Sequence, residues 1–216
     1  MELTRRGKFV TPFFGSAGYL EGDEIVRGWL DSRHDVLQHP KMLPVKKAMD
    51  SDKELAKMLK VFNTDETASP IIGDWMLFRC SINAAKLAGT WYNFKVSKEK
   101  WMNSVRFSPM HVTLHDGDGS KKEEADGMQV FPTKGSFFTA YQFINAGVTF
   151  EFTITIADDL VLVADKVYDE DSKKSNTEYI PDFDKMSECV GAVLDKMQMV
   201  GLGAFRERFG KFIFIE

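Results

Sequence analysis

The stretch VGLGAFRERFGKFIFIE, Val200 to Glu216, joins the end of an amphipathic helix to a strand through a loop rich in glycine and arginine. Gly201, Gly203 and Gly210 permit positive φ and a close approach of the backbone to a ligand or a neighbouring segment. Arg206, Arg208 and Lys211 supply donors suited to an anionic group. Two readings of the loop stand side by side. In one, Gly201 and Gly203 expose backbone N–H groups to a phosphate. In the other, the loop is a structural turn, and Arg206 or Arg208 pairs with an acid such as Glu207.

Working outward, Met186, Cys189, Val190, Val193, Leu194 and Met197 share one face of a helix predicted over about 182–199. Val148, Phe150, Phe152, Ile154 and Ile156 alternate with Thr149, Glu151, Thr153 and Thr155, the period of a strand with one buried face. Asp74 caps a helix in which Trp75, Phe78, Ile82 and Ala85 repeat at three and four residues, and Gly89 ends it. Residues 8–14, KFVTPFF, read as a first strand, with Pro12 at an edge or a bulge. Residues 105–115 alternate loosely and run into the charged tip HDGDGSKKEEADG, an exposed hairpin. This order predicts one α+β domain over 1–216: a ferredoxin-like (RRM-like) antiparallel sheet with two packed helices. Two insertions decorate it, a helical arm at 21–63 broken by Pro40 and Pro44, and an acidic hairpin or loop at 158–182.

With 44% apolar and 12% aromatic residues in 216, the chain can bury a substantial core. A net charge of -4 argues against holding long nucleic acid by bulk electrostatics, although the charge is segregated into basic and acidic segments. Cys80 and Cys189 lie in different predicted helices as core residues, and without a CxxC pattern they fit a reducing compartment. The start MELTRRGKF lacks the apolar core of a signal peptide, and no apolar run is long enough to span a membrane. A soluble, cytoplasmic protein with no membrane partner is the expectation.

The succession of a helix, GLGxFRxRFGKF and a strand is similar to the glycine-rich loop of the RAMP superfamily, the ferredoxin-like subunits that process CRISPR RNA or build CRISPR effector complexes. The closer likeness is to small phage-encoded RAMP-like proteins of unassigned role. It rests on a helix resembling SINAAKLAG (Ser81 to Gly89), a strand resembling VTFEFTITI (Val148 to Ile156) and the loop VGLGAFRERFGKF (Val200 to Phe212). The resemblance implies a protein that binds nucleic acid or a small nucleotide without catalysing a reaction. Phosphate would be held by Gly201, Gly203, Arg206, Arg208, Gly210 and Lys211, with basic help from Arg5, Arg6, Lys86 and Lys134. The relatives carry an arginine-bearing hairpin before the long strand, where Thr133 to Phe143 here offers Lys134.

Other classes remain open. One is a phage factor that assembles as a homo-oligomer or with a host defence protein through the arm and the acidic segment. A related counter-defence protein would sequester a nucleotide signal in a compact pocket. A third is a metal-independent RNA endonuclease, with His34 or His39 as general base, although neither lies in a matching motif. No Ser/His/Asp, Cys/His or paired-carboxylate pattern is present, so no catalytic residue, cofactor or enzymatic activity is assigned. His111 and His115 share a strand face but lack a third metal ligand at a usable spacing. Trp29, Trp75, Trp91, Trp101, Tyr92, Phe94, Phe13, Phe14, Phe137, Phe138 and Tyr141 are candidates for base stacking, with burial in the core as the plainer reading.

Overall fold

The computed structural model describes residues 1–33, 37–38, 40–132, 138–169, 174–206 and 208–216, the side chains of 166–169 and 174–176 excepted. The first elements are β1 (Glu2–Phe9), β2 (Phe13–Phe14), β3 (Ala17–Gly18), α1 (Glu24–Ser32), a 3-10 turn (Pro40–Met42), α2 (Leu43–Ala48) and α3 (Asp52–Met58). Next come β4 (Leu59–Val61), β5 (Asn63–Thr64), β6 (Pro70–Gly73), α4 (Asp74–Leu87), α5 (Thr90–Asn93), α6 (Lys98–Ser104), β7 (Val105–Ser108) and β8 (His111–His115). The chain continues through β9 (Gly127–Pro132), β10 (Phe138–Ile144), β11 (Thr149–Ile156), β12 (Leu162–Asp169), β13 (Lys174–Pro181), α7 (Phe183–Val200) and β14 (Phe212–Ile215). The protein is α+β. Two compact units divide it: Met1–Arg5, Asp74–Met110 and Phe152–Val200 form one, and Arg6–Gly73, His111–Glu151 and Gly201–Glu216 the other. No helix among the described residues is long and apolar enough to cross a membrane.

In the first unit α4 packs on α7. The inner face of α7 carries Met186, Cys189, Val190, Val193, Leu194 and Met197, all buried, as its periodicity predicts. The inner face of α4 is Leu77, Cys80, Ser81 and Ala84, whereas Trp75 is exposed. Of the predicted face Trp75, Phe78, Ile82 and Ala85, Ala85 is buried and Phe78 and Ile82 are half-buried, so Trp75 alone points out to solvent. Small side chains let the two helix axes approach closely, and a bulky indole would hold them apart. The buried indole is Trp101, whose Nε1 donates to Ser81 Oγ at 3.1 Å. β7 pairs antiparallel with β11, from Thr153 opposite Ser108 to Ile156 opposite Val105. Phe107 packs between Phe78 and Phe152. β12 and β13 form a separate two-stranded antiparallel ribbon within the segment read as an acidic hairpin.

The larger sheet has the strand order β14-β1-β11-β8-β6-β5, of which β14, β8, β6, β5, the Arg6–Phe9 part of β1 and the Thr149–Glu151 part of β11 belong to the second unit. The first strand runs from Glu2 to Phe9, upstream of the predicted 8–14, because Pro12 cannot donate to a ladder and the chain turns before it. β8 lies between β11 and β6 with Val112 and Leu114 fully buried, so it is a sheet strand instead of one arm of an exposed hairpin. β14 pairs antiparallel with β1, Lys8 opposite Ile213 and Arg6 opposite Ile215.

A second sheet, β2-β10-β4-β3 with β9 also on β10, belongs to the same unit. β10 pairs in parallel with β4, at the end of the segment read as a purely helical arm. Helices α1, α2 and α3 bury Val26, Leu30, Val45, Ala48 and Leu55 against Leu59, Val61, Met128 and Ala140 of this sheet. Each buried Val, Leu or Met side chain in this set contributes about 1.5–3 kcal/mol, which accounts for short helices that would not persist alone.

Candidate nucleic-acid interface

The loop after α7 is shaped by three glycines at positive φ: Gly201 at 76°, Gly203 at 75° and Gly210 at 67°. Gly201 ends the helix in the left-handed conformation that favours glycine. A Cβ on Gly201 would meet Gly210 O at 2.9 Å, and one on Gly203 would meet the Phe13 ring at 2.6 Å. The loop is stitched by its own backbone. Leu202 N donates to Gly210 O at 2.9 Å, Ala204 N to Phe14 O at 3.1 Å and Gly210 N to Pro12 O at 2.8 Å. Arg208 N and Phe209 N both donate to Phe205 O, and Lys211 N donates to Thr11 Oγ1 at 2.9 Å. These donors are turned inward, so the glycines close the turn on neighbouring backbone.

Phe205 and Phe209 press the loop onto the outer face of the second sheet. Phe209 lies 5.0 Å from Phe14, and Phe205 lies 4.5 Å from Phe131 and 4.7 Å from Tyr141, ring centre to ring centre. Phe205 itself has φ 55°, a left-handed conformation unusual for an aromatic residue, and these ring contacts hold it there. Alternation explains the composition of this face. On β10 Ala140, Gln142 and Ile144 are buried, leaving Thr139, Tyr141 and Phe143 on the other side. On β9 Gln129 and Phe131 lie opposite Tyr141 and Thr139, and on β4 Lys60 lies opposite Tyr141.

The result is an aromatic surface that is partly open. Phe131 and Tyr141 are half-buried, and Phe205 is 39% exposed. Burial raises the Tyr141 phenol above its ordinary pKa, so it remains a neutral ring at physiological pH. Arg206 and Arg208, on either side of Glu207 in the same loop, are exposed, and among the described residues neither makes an ion pair. Rings that accept a flat partner, beside guanidinium groups that accept phosphate, form the chemistry that nucleic-acid strands present.

The other predicted contributors are placed differently. Arg6 is exposed on β1 in the same unit, and Lys211 anchors the loop through its backbone, its carbonyl accepting from Val10 N at 2.9 Å. Arg5 and Lys86 belong to the first unit, where Arg5 Nη1 donates to Thr4 O at 2.9 Å and Lys86 is exposed on α4. Lys134, and with it His34, His39, Phe137 and Glu207, lies outside the described residues. His115 Nδ1 lies 3.3 Å from Gly119 O at the start of the charged tip.

Sequence reasoning included Tyr141 among many aromatics but passed over Phe131, Phe205 and Lys60. One signal was available: Phe205 and Phe209 are four residues apart inside a charged loop, a spacing that puts both rings on one side of a tight turn. No family model matches the chain, and no curated protein matches it.

Proposed function

We propose that the chain is a non-catalytic, RAMP-like protein that binds single-stranded nucleic acid on the outer face of its second sheet. The observation that carries this reading is the Phe131, Tyr141 and Phe205 cluster with Arg206 and Arg208 exposed in the loop that completes it. Bases stack on the rings at roughly 1–3 kcal/mol each, and the arginines hold phosphates. Such a site reads strand and backbone more than sequence. An isolated nucleotide offers the same ring and phosphate, but a shallow face spread over three segments suits a continuous strand better.

The strand order supports a ferredoxin-like core. Taking β1, α4, β7, β11, α7 and β14 as a split βαβ pair, the order β14-β1-β11-β7 is fourth, first, third, second, with helices after the first and third strands. Such an order resembles the scaffold of the RAMP superfamily and supports reading the chain as a phage-encoded protein of the host cytoplasm. Fluorescence anisotropy with a labelled single-stranded RNA and the matching duplex tests the function. The single strand binds at least about tenfold tighter if rings carry the contact. Equal binding of the two, or none, contradicts it.

A second reading, assembly with another protein, is favoured by the β12–β13 ribbon. Leu162, Tyr179, Ile180 and the adjoining Phe183 are exposed, and Asp165 lies directly opposite Glu178, a like-charge pair that costs stability unless a cation meets it. Self-association lost in Tyr179→Ser, Ile180→Ser, with the fold intact by circular dichroism, supports this reading.

A further inference from the structure

A cavity of about 320 Å³ lies in the second unit between α1 and the segments around Phe62 to Pro70 and Glu123 to Ala125. Its volume is at the small end of ligand sites, roughly 300–1,000 Å³. The walls include Trp29, Phe62 and Pro70, and the polar side chains are Ser32, Thr64, Gln142, Glu123 and Glu124. The Trp29 ring is held in place: Nε1 donates to Ala125 O at 3.4 Å, and the Arg33 guanidinium sits over the ring at 5.6 Å. Arg33 also donates to Glu124 at 2.5 Å, while Glu123 is exposed and makes no ion pair among the described residues.

Gln142 gives the cavity its direction. The residue is only 6% exposed, and its Oε1 accepts the Phe62 N–H at 3.1 Å. Only the oxygen end of an amide can accept from an N–H, so this bond fixes the orientation of the side chain. Its Nε2 donor has no hydrogen-bond partner among the described residues. With the oxygen end engaged, the amide nitrogen is left to serve a ligand acceptor in the cavity that Gln142 lines.

We propose that this cavity takes an amino-bearing nucleobase, as free base or nucleoside. The planar ring stacks on Trp29, a ring nitrogen or carbonyl accepts from Gln142, and an exocyclic amino group donates to Glu123. The carboxylates disfavour a phosphate at the mouth, so the ligand differs from the strand proposed for the outer face of the sheet, and neither proposal depends on the other.

Isothermal titration of the full chain with adenosine, cytidine, guanosine, uridine, each 5'-monophosphate and agmatine tests the assignment. At least one amino-bearing nucleoside binds with Kd below about 1 mM. Uridine, the monophosphates and agmatine bind about tenfold more weakly or not at all. Gln142→Glu keeps the acceptor for Phe62 N–H and removes the donor, and it weakens the nucleoside at least about tenfold. Glu123→Gln, an exposed change that spares the fold, narrows the gap between nucleoside and monophosphate. Absence of nucleoside binding, a preference for monophosphate or agmatine, or an unchanged gap in Glu123→Gln overturns the proposal.

Discussion

A Cβ on Gly203 would run into the carbonyl oxygen of Phe14, the same oxygen that accepts the N–H of Ala204 at 3.1 Å. The C-terminal loop and β2 are therefore locked backbone to backbone. Gly203→Ala must separate them or force alanine to φ 75°, and it is expected to destabilise the protein by more than about 2 kcal/mol. Gly191, exposed within α7 and with open space where a Cβ would stand, is the control: Gly191→Ala adds about 0.5–1 kcal/mol. Urea unfolding of the three proteins checks both signs.

Arg206 and Arg208 are expected to matter for binding and not for folding. The double change to alanine leaves stability within about 0.5 kcal/mol, since both side chains are exposed without ion-pair partners among the described residues. The slope of log K against log salt for a single strand falls by about 1.4, from two phosphate contacts at about 0.7 each.

Asp65 accepts from Thr67 N at 2.9 Å and Ser69 N at 3.1 Å, and pairs with Lys121 at 2.8 Å. The Lys121 ammonium, then the Thr67 and Ser69 donors, hold its carboxyl well below the usual carboxylate range. A lowered folded-state pKa means that the stabilisation is complete above the unfolded value of about 3.9 and is lost as pH falls through the folded one. Asp65→Asn therefore flattens the acid limb of stability below about pH 4, and at pH 7 it costs up to about 1 kcal/mol. Thermal unfolding between neutral and acid pH measures the difference.

Both cysteines are buried, and burial pushes the Cys189 thiol up to about 12. Neither reacts with a thiol reagent in the native protein at pH 8, and both react once it is unfolded. Rapid native modification of Cys189 would show that α7 opens more readily than its buried face implies.

The elements written most clearly in the chain are those with one partner and one period. The six buried residues of α7 and the alternation of β11 are readable because each buries a single face. On α4 the three-and-four spacing places Ala85 correctly but not Trp75, because the small residues Cys80, Ser81 and Ala84, which carry little hydrophobic signal, line the buried face. The second sheet was hidden: β2 and β3 are two residues each, and the parallel pairing of β4 with β10 joins residues about eighty apart. Phe13 and Phe14 do split between opposite faces, as adjacent strand residues must, yet both are buried because one meets Phe9 and Phe62 while the C-terminal loop covers the other. That loop shows where composition runs out. Glycines at positive φ look alike whether they approach a phosphate or the chain's own carbonyls, and only the location of Phe14 and Pro12 decides.

Photo-crosslinking of a 4-thiouridine-substituted single-stranded RNA, followed by peptide mass spectrometry, tests the proposed interface most directly. Crosslinks at Phe131, Tyr141 or Phe205 are predicted, reduced in the Arg206→Ala, Arg208→Ala protein. Crosslinks confined to peptides of the first unit, such as those bearing Arg5 or Lys86, would contradict it.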